Sequence, residues 1–184
     1  MLLAEKGTKA KAQTGDLTKT LTQALQHIKD PELKKEVEGI KIENAAEIHT
    51  ADNKKSYLVQ VSAASEKSIH NAHATIVKTL ESKLSSSVVI VPARKRINGN
   101  LYRKYKGKKV PRTETLSYVF DAFLQDVVYP AAVVGKRVRF PKSKARQFKV
   151  FVDKLDKETI EGKVDSIVAS YKALTNRDLK VEFA

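Results

Sequence analysis

Apolar positions along this chain change spacing in a recurring order. Leu17, Leu21, Ala24, Leu25 and Ile28 return every three or four residues, which predicts a helix capped by Asp16. Pro31 restarts a turn, and Leu33 and Val37 carry the apolar face on to Gly39. Alternation then takes over. Strands over 40–49 and 57–63, separated by the turn-like Ala51-Asp52-Asn53-Lys54-Lys55, predict a hairpin. Helical spacing returns at Ile69, Ala72, His73, Ile76, Val77, Leu80 and Leu84. Three serines stop that helix, and 88–91 reads as a short buried strand. The order is αββαβ.

The same order follows once more. Thr113 or Thr115 can cap a helix in which Leu116, Val119, Phe120, Phe123, Leu124 and Val127 face inward, ending at Tyr129-Pro130. Strands over 136–140 and 146–152 are joined by Pro141-Lys142-Ser143-Lys144. A helix over 157–174 carries Ile160, Val164, Ile167, Val168, Tyr171 and Leu174, stops at Thr175-Asn176, and leads to a strand over 179–183. The predicted class is α/β of the α+β type, two αββαβ-like halves whose helices pack on one or two mixed sheets. Residues 1–15 lack apolar periodicity and read as a mobile start. The expected domains are 16–92, a basic arm over 93–113, and 114–184, or else a single domain overall.

Charge changes the picture. The chain of 184 residues has a formal net charge of +14, and the charge is concentrated. The stretch 91–113 holds Arg94, Lys95, Arg96, Arg103, Lys104, Lys106, Lys108, Lys109 and Arg112, with Tyr102 and Tyr105 among them and no acid. The stretch 136–149 holds Lys136, Arg137, Arg139, Lys142, Lys144, Arg146 and Lys149, again with no acid. Together they hold 16 of the 35 basic residues and none of the 21 acidic ones. So dense a set of like charges calls for a polyanion. Lysine and arginine would neutralise phosphates and release counterions, while the two tyrosines could stack on unpaired bases. In the second stretch, Lys136, Val138 and Phe140 fall on one strand face with Arg137 and Arg139 on the other. It reads as a hairpin lying along RNA, or as an edge hairpin guarded by charge.

Other chemistries find no footing. The chain has no cysteine, which excludes disulfides and zinc–cysteine sites. His70 and His73 stand three apart on one helix without a third ligand at a supporting spacing, and packing or exposure is the better reading. There is no phosphate-binding glycine loop, GxSxG or HExxH, so no catalytic, cofactor or metal site is predicted. No signal peptide or membrane span is expected, which points to a soluble intracellular chain. No RRM, KH or zinc-finger pattern appears, and no helix is basic enough to enter a major groove.

Residues 113–140, TETLSYVFDAFLQDVVYPAAVVGKRVRF, resemble the hallmark segment of the eukaryotic small-subunit ribosomal protein seven family (the eukaryote-specific type). There a helix with an internal Asp ends at a Phe/Tyr-Pro pair and is followed by IVGKR-(I/V)-R. Asp121, Asp126, Tyr129-Pro130 and Val134-Gly135-Lys136-Arg137-Val138-Arg139 stand in those places. Residues 152–183 are similar to the family's C-terminal stretch, and VPARKRI to its strand entering the basic arm. Val110 and Glu114 depart from a more uniformly basic run, and relatives usually continue beyond Ala184. The resemblance implies a non-catalytic component of the 40S subunit, on its body and platform side. That component would bind small-subunit rRNA, neighbouring ribosomal proteins and assembly factors, support rRNA maturation, transit the nucleolus, and act in cytoplasmic translation. Neither a homo-oligomer nor a membrane partner is expected. The alternative is a non-ribosomal RNA- or DNA-binding regulator of chromatin type.

Overall fold

Two antiparallel strands begin the part of the fold that positions everything else. The computed structural model describes residues 17–23, 39–50, 54–97, 111–142 and 146–184. The chain divides into two compact units, Met1–Ala93 and Arg94–Ala184. The predicted N-terminal helix is described only over 17–23 (α1), where Leu21 is buried in the core; the Asp16 cap, the restart at Pro31 and the N-terminal 1–15 lie outside the described residues.

In the first unit, β1 (Ile42–His49) pairs antiparallel with β2 (Lys55–Val61). A 3-10 turn at Ala63–Ser65 leads into α2 (Glu66–Leu84), and β3 (Ser87–Pro92) returns parallel to β2. The sheet order is β1-β2-β3. The α2 stripe Ile69, Ala72, Ile76, Val77 and Leu80 is buried against Ala45, Val59, Val61, Val88 and Ile90. Each large apolar side chain so buried contributes about 1.5–3 kcal/mol. Leu58, Val89 and Val91, on the opposite sheet face, are buried as well. A strand enclosed on both faces needs no alternation, which accounts for the run of valine and isoleucine in β3. Ser85 ends α2 in the left-handed region at φ 50°.

In the second unit, α3 (Leu116–Val128) precedes β4 (Val133–Arg139) and β5 (Gln147–Val152), which pair antiparallel. A 3-10 turn at Lys154–Asp156 then opens α4 (Lys157–Ile160), a 3-10 turn at Glu161–Lys163 and α5 (Val164–Thr175). β6 (Asp178–Phe183) runs parallel to β5, giving the order β4-β5-β6. The described residues thus form two mixed sheets rather than one.

The halves correspond at a constant offset of 91 residues. Adding 91 carries Ile42 at the start of β1 to Val133 of β4, and the register shift between Ile42 and Asn44 to that between Val133 and Gly135. It carries the 3-10 turn Ala63–Ser65 to Lys154–Asp156, and Glu66–Leu84 to the span from Lys157 to Thr175. The left-handed Ser85 becomes Asn176, and the bond from Ala93 N–H to Val61 O becomes that from Ala184 N–H to Val152 O. A conformational repeat this regular survives without matching side chains because it is set by backbone hydrogen bonding and by the parity of buried positions.

Three local expectations need correction. Leu116 faces solvent, 46% exposed, because it is the first residue of α3 and lies beyond the buried front that begins at Val119. Thr115 occupies the N-cap position but does not cap; its Oγ1 donates to Arg112 O at 2.6 Å instead. The helix expected over 157–174 is broken by the 3-10 turn at Glu161–Lys163. Gly162 at its centre has open space where a Cβ would stand, so its weak helix propensity rather than crowding marks the break.

Candidate nucleic-acid interface

The arm emerges between two anchored feet. β3 ends at Pro92, and Arg94 then turns its guanidinium onto Asp126 of α3, Nε donating to Oδ2 and Nη2 to Oδ1, each at 2.8 Å. The Asp126 side chain is only 8% exposed and that of Arg94 22%, so this bidentate pair is largely withdrawn from water. One residue on, Lys95 Nζ lies 3.9 Å from Glu114, and two further on Ile97 N–H donates to Glu114 O at 3.1 Å. The outgoing stretch 94–97 is therefore tied to the 3-10 turn Arg112–Glu114 and to α3. Glu114, a departure from the uniformly basic run, serves as a fastening point. The guanidinium groups of Arg96 and Arg112 are exposed and have no partner among the described residues. Tyr102, Arg103, Lys104, Tyr105, Lys106, Lys108 and Lys109 lie outside the described residues, as does Lys144.

The second cationic stretch is the β4–β5 hairpin, and its register sorts the cations. Lys136 lies opposite Val150 and Val138 opposite Phe148, so these share the face whose Val150 and Leu179 are buried. On that face Lys136 Nζ donates to Asp121 Oδ2 of α3. Close by, Arg177 is stacked between two rings, 4.4 Å from the Phe120 centroid and 4.7 Å from that of Phe148. Arg137 lies opposite Lys149 and Arg139 opposite Gln147, on the other face. There Lys149 donates to Glu182, which also pairs with Lys180 at 3.1 Å. The hydrogen bonds from Lys149 and then Lys180 hold the Glu182 carboxyl below its ordinary value. Arg137, Arg139 and Lys142 are exposed and unpaired among the described residues. Two residues apart on one strand face, Arg137 and Arg139 are about 7 Å apart along the backbone. Arg146 stands over the Phe140 ring, 5.1 Å from its centroid.

The predicted cations thus divide. Arg94, Lys95 and Lys136 each meet an acid of this chain, whereas among the described residues Arg96, Arg112, Arg137, Arg139 and Lys142 meet none. Sequence reading had no view of the Arg94–Asp126 pair, whose partners are 32 residues apart. Its one local signal is an acid set among the buried Phe123, Leu124, Val127 and Val128 of α3. Among the described residues, no group of three or more His, Cys, Asp or Glu could hold a metal ion, and no helix is long and apolar enough to cross a membrane.

The family model for ribosomal protein S7e matches residues 5–183. Small ribosomal subunit protein eS7 of Drosophila melanogaster is 36% identical over 172 residues, covering 91% of this chain and 88% of that protein. The eS7 protein of Spodoptera frugiperda is 35% identical over 180 residues, covering 95% and 94%. That of Secale cereale is 36% identical over 154 residues, covering 83% and 79%.

Proposed function

The chain belongs to the S7e family of ribosomal proteins, and from that premise we propose that it binds small-subunit rRNA through the arm and through the Arg137–Arg139 face of the β4–β5 hairpin. It is a small-subunit ribosomal protein, and so a component of the cytoplasmic ribosome. In this reading its role there is structural. Arg96, Arg112, Arg137, Arg139, Lys142 and Arg146 carry phosphate contacts together with the arm residues Arg103, Lys104, Lys106, Lys108 and Lys109, while Lys144 extends the hairpin's set. Tyr102 and Tyr105 stack on unpaired bases. Arg94 holds the start of the arm in place instead, while Lys95 and Lys136, exposed beside their acids, add to the phosphate-binding set. Neighbouring ribosomal proteins and assembly factors complete the partners, with passage through the nucleolus during subunit maturation.

One observation carries the reading. Among the described residues β1 and β4 are edge strands at corresponding positions of the same topology, yet β1 reads IENAAEIH and β4 with the next residue reads VVGKRVRF. The scaffold needs no lysine or arginine there, since the first half builds the strand without any. Guarding an edge explains charge of either sign. It does not explain cations left without acids on a strand whose counterpart has Glu43 and Glu47. Phosphate binding does.

The test is the salt dependence of binding between the full chain and a small-subunit rRNA transcript. Arg137→Ala and Arg139→Ala are each expected to reduce the slope of log K against log [salt] by roughly 0.7–0.9, with unfolding unchanged because both side chains are exposed. An unchanged slope in the double variant would remove this face from the interface.

A further inference from the structure

The hairpin ends on an aromatic residue that the fold does not use. Phe140 is 67% exposed, although it follows Lys136 and Val138 on the face that carries buried Val150 further along. Even Val138 is 37% exposed, so this end of the hairpin runs out beyond its apolar cover. A phenylalanine left in water forfeits the stabilisation that burial would give it. The first half builds the same place with different side chains. At the offset of 91, Phe140 corresponds to His49, Arg146 to Lys55 and Val138 to Glu47. In the first half Lys55 is neutralised by Glu47 at 3.1 Å, and no large apolar side chain is presented. In the second, the acid is replaced by Val138, and the cation rests on an exposed ring. Arg139 and Lys142 flank that ring without acidic partners among the described residues.

We propose that Phe140, with Arg146 stacked on it, is a base-stacking site for an unpaired RNA nucleotide; this deepens, and rests on, the rRNA-binding reading above. A ring accepts the π-face of any base, and a guanidinium beside it extends the stack. Arg139 and Lys142 are placed to meet the adjoining phosphates. Bases inside a duplex are already stacked on each other, so the ring selects a looped-out or single-stranded nucleotide, without preference among the four. A protein partner fits less well. The exposed apolar surface here is one ring and one valine, and the surrounding stretch 136–149 holds seven basic residues and no acid.

The chain contains no tryptophan, so Phe140→Trp in the full chain gives one indole reporter at the site. Decaadenylate RNA is expected to quench its emission, and a blunt RNA duplex with as many phosphates to leave it unchanged. Phe140→Ala is expected to weaken decaadenylate binding by about 5- to 150-fold. Duplex affinity and salt slope stay as in the wild type, because no charge is removed. Equal quenching by both RNAs, or wild-type decaadenylate binding by Phe140→Ala, overturns the stacking site while leaving phosphate binding by Arg137 and Arg139 intact. If the wild-type chain binds neither RNA, the rRNA-binding reading falls and the stacking site with it.

Discussion

Replacing Arg94 by alanine separates anchoring from RNA contact within a single cationic stretch. The guanidinium makes two 2.8 Å bonds to an Asp126 carboxylate that is 8% exposed. Arg94→Ala leaves that charge withdrawn from water without its cation. Breaking a buried pair in this way costs about 3–5 kcal/mol. Arg94 itself keeps 22% exposure, which admits some water and places the cost near the lower end, about 3 kcal/mol. In a unit the size of Arg94–Ala184 this corresponds to a fall in Tm of about 12–24 °C. Thermal and urea unfolding followed by circular dichroism read it directly. The double variant Arg94→Ala, Asp126→Ala removes the carboxylate as well and is expected to recover part of the loss, giving a coupling energy between the two sites. Binding to rRNA, measured well below Tm, should keep its wild-type salt slope, since Arg94 faces a carboxylate. A variant that melts with the wild type but loses about one unit of slope would show that Arg94 contacts phosphate and that the pair with Asp126 is not what holds it.

Two further outcomes test the second unit. Arg177→Ala empties the slot between Phe120 and Phe148 and is expected to cost about 1–3 kcal/mol in urea unfolding, with Arg177→Lys recovering less than full stability because a compact ammonium cannot stack on both rings; a neutral alanine variant would make the stack incidental. Burial raises the Tyr171 phenol above the ordinary value of 10.0, against the opposing influence of Arg177. The native state therefore keeps a proton that the unfolded chain loses near pH 10, so this contribution to stability is complete below that pH and declines as pH rises through the native value. Tyr171→Phe should flatten the fall in stability above about pH 10, and parallel profiles for the two proteins would count against a buried neutral phenol.

Local signals read well where a structure is made locally. The α2 stripe from Ile69 to Leu80 and the left-handed stop at Asn176 follow from side-chain spacing and from the residues that tolerate positive φ, both visible within a few positions. Where the two failed, neighbours in space were responsible: Leu116 has helical spacing but stands one turn short of anything that buries it.

The sequence by itself determined the αββαβ order in both halves and the two acid-free cationic stretches, because periodicity and charge are properties of order along the chain. Only the tertiary structure decided that the strands form two sheets, that the halves keep one offset of 91 residues, and which cations are left over. Arg94, Arg137 and Arg146 look alike in a string of letters. One meets an acid 32 residues away, one finds none among the described residues, and one rests on an exposed phenylalanine. That division depends on strand register and helix placement, which bring distant residues within a few ångströms, and composition carries no record of distance.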